Sequence, residues 1–107
     1  MASVPTKQMT ALYEKATNNR SKRIKSGNYE LCVGTDAISL YHYGTLIFRW
    51  NNTDNSVDLG GSRSASDRDA INGLLTLMGF PRCAYIRRGV VHFDHRWFNE
   101  YLEDQTL

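Results

Sequence analysis

The hydrophobic period switches along this chain between two and the helical spacing, and those switches bound what it can fold into. Over residues 29–50 apolar side chains return at every second position: Tyr29, Leu31 and Val33, then Ile38 and Leu40 with His42, then Leu46, Phe48 and Trp50 opposite Ile47 and Arg49. Over residues 70–78 the spacing becomes helical, with Ala70, Ile71, Leu74, Leu75 and Met78 on one stripe. A chain of 107 residues has room for one core, so the strands and the helix must share it.

Turn chemistry divides the strand region at Gly34-Thr35-Asp36, at Gly44-Thr45 and at Asn51-Asn52-Thr53-Asp54-Asn55, after which Val57 and Leu59 allow a short fourth strand. Short connections favour pairing between sequence neighbours, hence an antiparallel meander. Gly60-Gly61 closes it. Ser64 or Ser66 can cap the following helix, Asp67 or Asp69 favours its positive end, and Gly79 followed by Pro81 stops it. The helix has one dry side and a meander needs a cover, so the two are expected to face each other. A hairpin follows, with Ala84-Tyr85-Ile86-Arg87 and Val90-Val91-His92-Phe93 joined at Arg88-Gly89. Trp97, Phe98, Tyr101 and Leu102 suit a short terminal helix. At the other end Met9, Leu12, Tyr13 and Ala16 share a stripe, which predicts a helix over about 6 to 17 that begins at Pro5 or Thr6 and ends at Asn18 and Asn19. The fold class is α+β: a small antiparallel meander covered by one amphipathic helix, with an N-terminal helix and a C-terminal hairpin plus short helix.

Charge is uneven. Residues 1–27 hold Lys7, Lys15, Arg20, Lys22, Arg23 and Lys25 against Glu14 alone, a net of +5, whereas residues 28–107 hold seven Arg against ten acids, a net of −3. The run Arg20-Ser21-Lys22-Arg23-Ile24-Lys25-Ser26-Gly27 has no apolar face to bury and reads as an exposed basic linker. The chain therefore divides into an N-terminal helix with its linker, 1–27, and a single α+β domain, 28–107. An overall +2 forces neither a nucleic-acid assignment nor disorder. No apolar run reaches the roughly 20 residues that span a bilayer, and residues 1–18 lack the pattern of a signal peptide, so a cytoplasmic location is expected.

Catalytic and metal chemistry finds little support. Cys32 and Cys83 match no metal or redox spacing and read as reduced thiols. His92, Asp94 and His95, with Asn99 one turn on, are proper ligand types, yet alternation sends His92 and Asp94 outward together and leaves His95 in a turn. His42 lies on the apolar face of its strand and reads as a hydrogen-bonded half-buried side chain. Gly60-Gly61-Ser62 beside Arg63 could present amides to an anion, but a strand-to-helix turn uses glycine in the same way. No nucleophile elbow and no acid pair appears, so no enzyme activity, metal or cofactor is expected.

Two families of partner remain. For protein binding, Arg20, Lys22, Arg23 and Lys25 of the basic arm join Arg87, Arg88, Arg96 and Trp97, a composition typical of interface anchors. For nucleic acid, Lys15 and the same arm cations would neutralise phosphates while Tyr41, Tyr43 or Tyr85 stack on unpaired bases. Exposed strand edges also make a homodimer reasonable.

The cadence Gly44-Thr45-Leu46-Ile47, Val57-Asp58-Leu59-Gly60-Gly61-Ser62-Arg63-Ser64 and Asp67-Arg68-Asp69-Ala70-Ile71-Asn72, followed by Tyr85-Ile86-Arg87-Arg88-Gly89-Val90-Val91, resembles a family of small phage and mobile-element proteins of unassigned function. The likeness covers roughly residues 29–93, and its motifs are structural. It implies a non-enzymatic accessory protein in the host cytoplasm that binds and inhibits a host protein. That target would be a nucleic-acid-handling or defence factor such as a CRISPR effector complex, an anti-CRISPR-like role.

Overall fold

The computed structural model describes residues 6–105. Pro5, one of the two expected helix starts, lies outside them. Thr6 is the cap: its hydroxyl accepts the Met9 amide at 3.0 Å and opens helix α1, Lys7–Asn18. Met9, Leu12 and Ala16 are buried along one side of that helix. Asn19 ends it, its side-chain amide donating to the Lys15 carbonyl at 2.8 Å.

The segment read as a basic linker is instead structured. Arg23–Ser26 forms strand β1, which pairs antiparallel with β2, Tyr29–Val33, in the register Arg23 with Cys32 through Ser26 with Tyr29. Ile24 is the one apolar side chain of β1 and faces the core, while the flanking cations keep to water. The sheet continues with β3, Ala37–His42, β4, Thr45–Asn51, and the two-residue β5, Val57–Asp58, giving five antiparallel strands in the order β1-β2-β3-β4-β5. It is the expected meander with one strand added in front.

Within β4 the simple alternation fails. The register shifts between Leu40 and Tyr41, which pair with Phe48 and Leu46, so Ile47 is an extra residue on β4. The bulge turns both Ile47 and Phe48 into the core, although strict alternation had placed them on opposite faces.

Helix α2, Ala65–Leu77, is capped by Ser64, whose hydroxyl accepts the Asp67 amide at 3.1 Å. It buries Ala70, Ile71, Leu74 and Leu75 against the sheet. Helix α1 packs on α2, β1 and β2, and its Met9, Leu12 and Ala16 belong to the same apolar cluster. The change of charge at residue 27 is therefore not a packing boundary.

Strands β6, Ala84–Arg87, and β7, Val90–Phe93, form a separate hairpin, and α3, His95–Gln105, follows. Ala84, Val91 and Phe93 face inward, and Phe98 of α3 is fully buried beside Trp50, Phe80 and Phe93. Full burial of one such aromatic side chain stabilises by about 1.5–3 kcal/mol, so Phe98 rather than its neighbour Trp97 closes this end of the core.

Candidate functional site

The outward side of the β6–β7 hairpin is built by register. Tyr85 pairs with His92 and Arg87 with Val90, so all four side chains stand on the face opposite the buried Ala84, Val91 and Phe93. The Tyr85 and His92 rings stack with centroids 5.5 Å apart. Arg88 and Gly89 form the turn, both with positive φ, 54° and 75°, which aims the Arg88 side chain away from the sheet. Asp94 accepts the Trp97 amide at 2.9 Å and so starts α3, leaving the Trp97 ring 48% exposed. Arg96 reaches Glu100 at 3.3 Å across one turn of helix, an exposed pair that contributes little stability.

A second cationic region lies along β1. Arg20 reaches the Gly34 carbonyl at 3.4 Å. Lys22 and Lys25 are exposed, with no ion-pair partner among the described residues. Arg23 is held: its guanidinium meets Glu30 at 3.2 Å and lies 3.7 Å above the centre of the Tyr41 ring. Lys15 is exposed in the last turn of α1.

The three tyrosines expected to form a stacking platform stand on separate features. Tyr41 is on the outer face of the main sheet, covered on one side by Arg23. Tyr43 occupies the β3–β4 turn at φ 52°, and its hydroxyl accepts a hydrogen bond from Asn28 at 2.9 Å. Tyr85 is on the other hairpin, against His92.

His42 shows what the sequence could not reveal. Its Nδ1 lies 2.7 Å from Asp67 Oδ1, and its ring sits between Tyr29 at 4.3 Å and Tyr43 at 4.5 Å. The other Asp67 oxygen accepts the Arg63 amide at 3.0 Å. Both carboxylate oxygens are thus engaged, and the pair acts as a clasp between β3 and the first turn of α2. Burial, and then the Asp67 charge, push the Tyr29 phenol above its ordinary value. A cleft of about 500 Å³ opens beside the clasp, lined by His42, Tyr43, Thr45, Arg63 and Ser66. No local signal points to this pairing, because its partners are 25 positions apart.

Gly60 and Gly61 serve the turn. Gly60 has φ 52°, a Cβ there would collide with the Leu46 carbonyl oxygen, and that same oxygen accepts the Gly61 amide at 2.8 Å. Asp58 accepts the Gly60 amide at 2.8 Å.

The remaining ligand-type side chains are dispersed in role. His92 stacks on Tyr85, Asp94 starts α3, and exposed His95 sets its edge against Phe93. Asn99 is exposed. Among the described residues no three His, Cys, Asp or Glu side chains gather as a metal cluster. Cys32 is half-buried and Cys83 buried, both free. Burial, with the Asp94 charge adding to it, pushes the Cys83 thiol up to about 12. No helix among the described residues is long and apolar enough to cross a membrane. No protein-family model matches the chain, and neither a curated protein nor a solved structure matches it.

Proposed function

We propose that this chain is a non-enzymatic binding module that engages a partner protein through the β6–β7–α3 corner, with the cationic β1 edge as a second contact. One observation carries the reading. Among the described residues the large apolar side chains that stand exposed are Tyr43, Tyr85, Val90 and Trp97; Tyr85 and Val90 stand with Arg87 on the outer face of the β6–β7 hairpin, Arg88 forms its turn, and Trp97 stands exposed with Arg96 on α3, which follows β7 in sequence. Tyr, Trp and Arg dominate interface hot spots, because each combines a large contact area with a polar or charged tip.

The resemblance noted above makes the partner a host protein that handles nucleic acid, or a defence complex such as a CRISPR effector, in the host cytoplasm. Cations that compete for a phosphate-binding channel would inhibit such a protein without any catalytic group or cofactor. Direct binding to nucleic acid is the rival reading, favoured by the unpaired Lys22 and Lys25. It lacks an aligned set of tyrosines.

The test is site-specific photo-crosslinking. A benzophenone side chain at position 85 or 97 should capture one dominant host protein, and the same group at Thr53, in the exposed β4–β5 loop, should not. Equal yields from all three positions would contradict the proposal. So would salt-sensitive retention of short DNA that is lost on charge reversal at Arg20, Lys22, Arg23 and Lys25, because that result assigns the surface to nucleic acid.

A further inference from the structure

The turn between β1 and β2 determines which main-chain groups of β1 face its neighbour and which face water. Gly27, at φ 59°, and Asn28 form a two-residue loop that closes Ser26 on Tyr29. Such loops close on a hydrogen-bonded pair, so Ser26 and Ile24 direct their N–H and C=O groups into β2. The other side of β2 gives the same parity. The Tyr43 amide donates to the Asn28 carbonyl at 2.8 Å, so Asn28, Glu30 and Cys32 face β3, and Tyr29, Leu31 and Val33 face β1. The Ser21 amide, which donates to Val33 at 2.9 Å, agrees. The N–H and C=O groups of Arg23 and Lys25 therefore point off the sheet, and β1 is its terminal strand. It contains no proline and its register has no bulge.

Side chains decide what can add there. Lys25 projects from the outer face beside Arg23, and exposed Lys22 and Arg20 precede them. A second copy of this chain, pairing β1 to β1, would set cation against cation, which destabilises a ladder. The cations that discourage self-association favour an acidic strand. On the inner face β1 presents half-buried Ile24 against the core and Ser26, whose carbonyl accepts a hydrogen bond from the Gln8 side chain of α1 at 2.8 Å. An added strand would therefore place acidic residues beside Arg23 and Lys25 and an apolar residue, between them in sequence, beside Ile24.

We propose that the free edge of β1 takes up an extended acidic segment of the partner protein as a sixth strand, held by the main-chain groups of Arg23 and Lys25 and selected by Lys25, Lys22 and Arg20. The proposal rests on the protein-binding reading and deepens it by naming the mode of contact and the chemistry of the partner.

The probe is a capped Glu-Val-Glu-Val-Glu peptide, titrated into the ¹⁵N-labelled chain, with hydrogen exchange read at the Arg23 and Lys25 amides. Binding should slow exchange at both amides, and the charge-inverted Lys-Val-Lys-Val-Lys peptide should leave them unchanged. Lys25→Pro removes an outward N–H and leaves the β2 ladder intact, so it should weaken binding by about tenfold or more without lowering the melting temperature. If that variant proves unstable, Lys25→Glu should abolish peptide binding in a folded chain. Shifts without protection of the two amides, or equal affinity of the Lys25→Pro chain, would overturn the proposal. Partner capture from position 85 separates the two readings. If the Lys25→Pro chain still captures the partner at full yield, the added strand is refuted and the protein-binding reading stands. If the unmodified β1 chain captures nothing, both fail.

Discussion

Replacing Asn72 with alanine should loosen the β6–β7 hairpin from the helix that carries it. Asn72 is 3% exposed in the middle of α2, and its side chain grips one residue of β6 twice: Nδ2 donates to the Ala84 carbonyl at 2.8 Å, and Oδ1 accepts the Ala84 amide at 2.9 Å. The amide side chain thus stands in for a neighbouring strand. Alanine leaves a buried N–H and a buried C=O without these partners, each costing about 1–3 kcal/mol, and removes packing volume besides. The expected loss is about 2–5 kcal/mol, a large part of the 5–15 kcal/mol typical of a domain. At roughly 4 °C per kcal/mol for a chain of this size, the melting temperature should fall by about 8–20 °C. Asn72→Asp keeps the acceptor but sets a carboxylate oxygen against the Ala84 carbonyl, so it should cost at least as much. Urea unfolding followed by tryptophan fluorescence gives the energy, and hydrogen exchange at the Ala84 amide gives the location. A loss below about 1 kcal/mol, or unchanged exchange at Ala84, would refute the reasoning.

Four further outcomes are expected. Gly60→Ala must displace the Leu46 carbonyl as well as strain a positive φ, so it should cost at least about 1 kcal/mol more than Gly44→Ala, where φ is 77° and the space is open; equal losses in thermal melts would show that strain alone matters. Asp67→Ala should cost about 2–3 kcal/mol by releasing His42 and the Arg63 amide, and a change within about 0.5 kcal/mol would deny the clasp any structural role. Iodoacetamide near neutral pH should alkylate Cys32 and spare Cys83 until the chain unfolds. Folding favours the protonated Cys83 thiol, so its stabilisation is whole below pH 9.0 and is lost as pH rises toward about 12. That loss is at most about 4 kcal/mol, Cys83→Ala should flatten it, and an unaltered alkaline decline would assign it to other groups.

Where periodicity and local turn chemistry agree, the fold was legible. Thr6 and Ser64 cap helices within a residue of the expected starts, and Arg88-Gly89 forms the expected turn. β1 was hidden because an edge strand with one inward residue, Ile24, has no alternation to display among its cations, and only pairing with β2 makes it a strand. The bulge at Ile47 broke a rule that the flanking residues obey. The candidate surface divides in the same way. Arg87 was legible as outward-facing from alternation and Arg88 from its place in the turn, whereas helical spacing grouped Trp97 with Phe98, Tyr101 and Leu102 and did not tell which of them stands exposed. The holding of Arg23 by Glu30 and Tyr41, the His42–Asp67 clasp and the Asn72 grip on Ala84 join residues distant in sequence, where no local pattern operates.

The proposed working surface of this molecule is the β6–β7–α3 corner together with the β1 edge. Titrating the ¹⁵N-labelled chain with the protein captured through position 85, and following every backbone amide, decides it. Signals from residues 85–97 and 20–25 should shift or broaden, while those of the 52–56 loop stay in place. Perturbation confined to the cleft beside His42 and Arg63, with the corner unmoved, would contradict it.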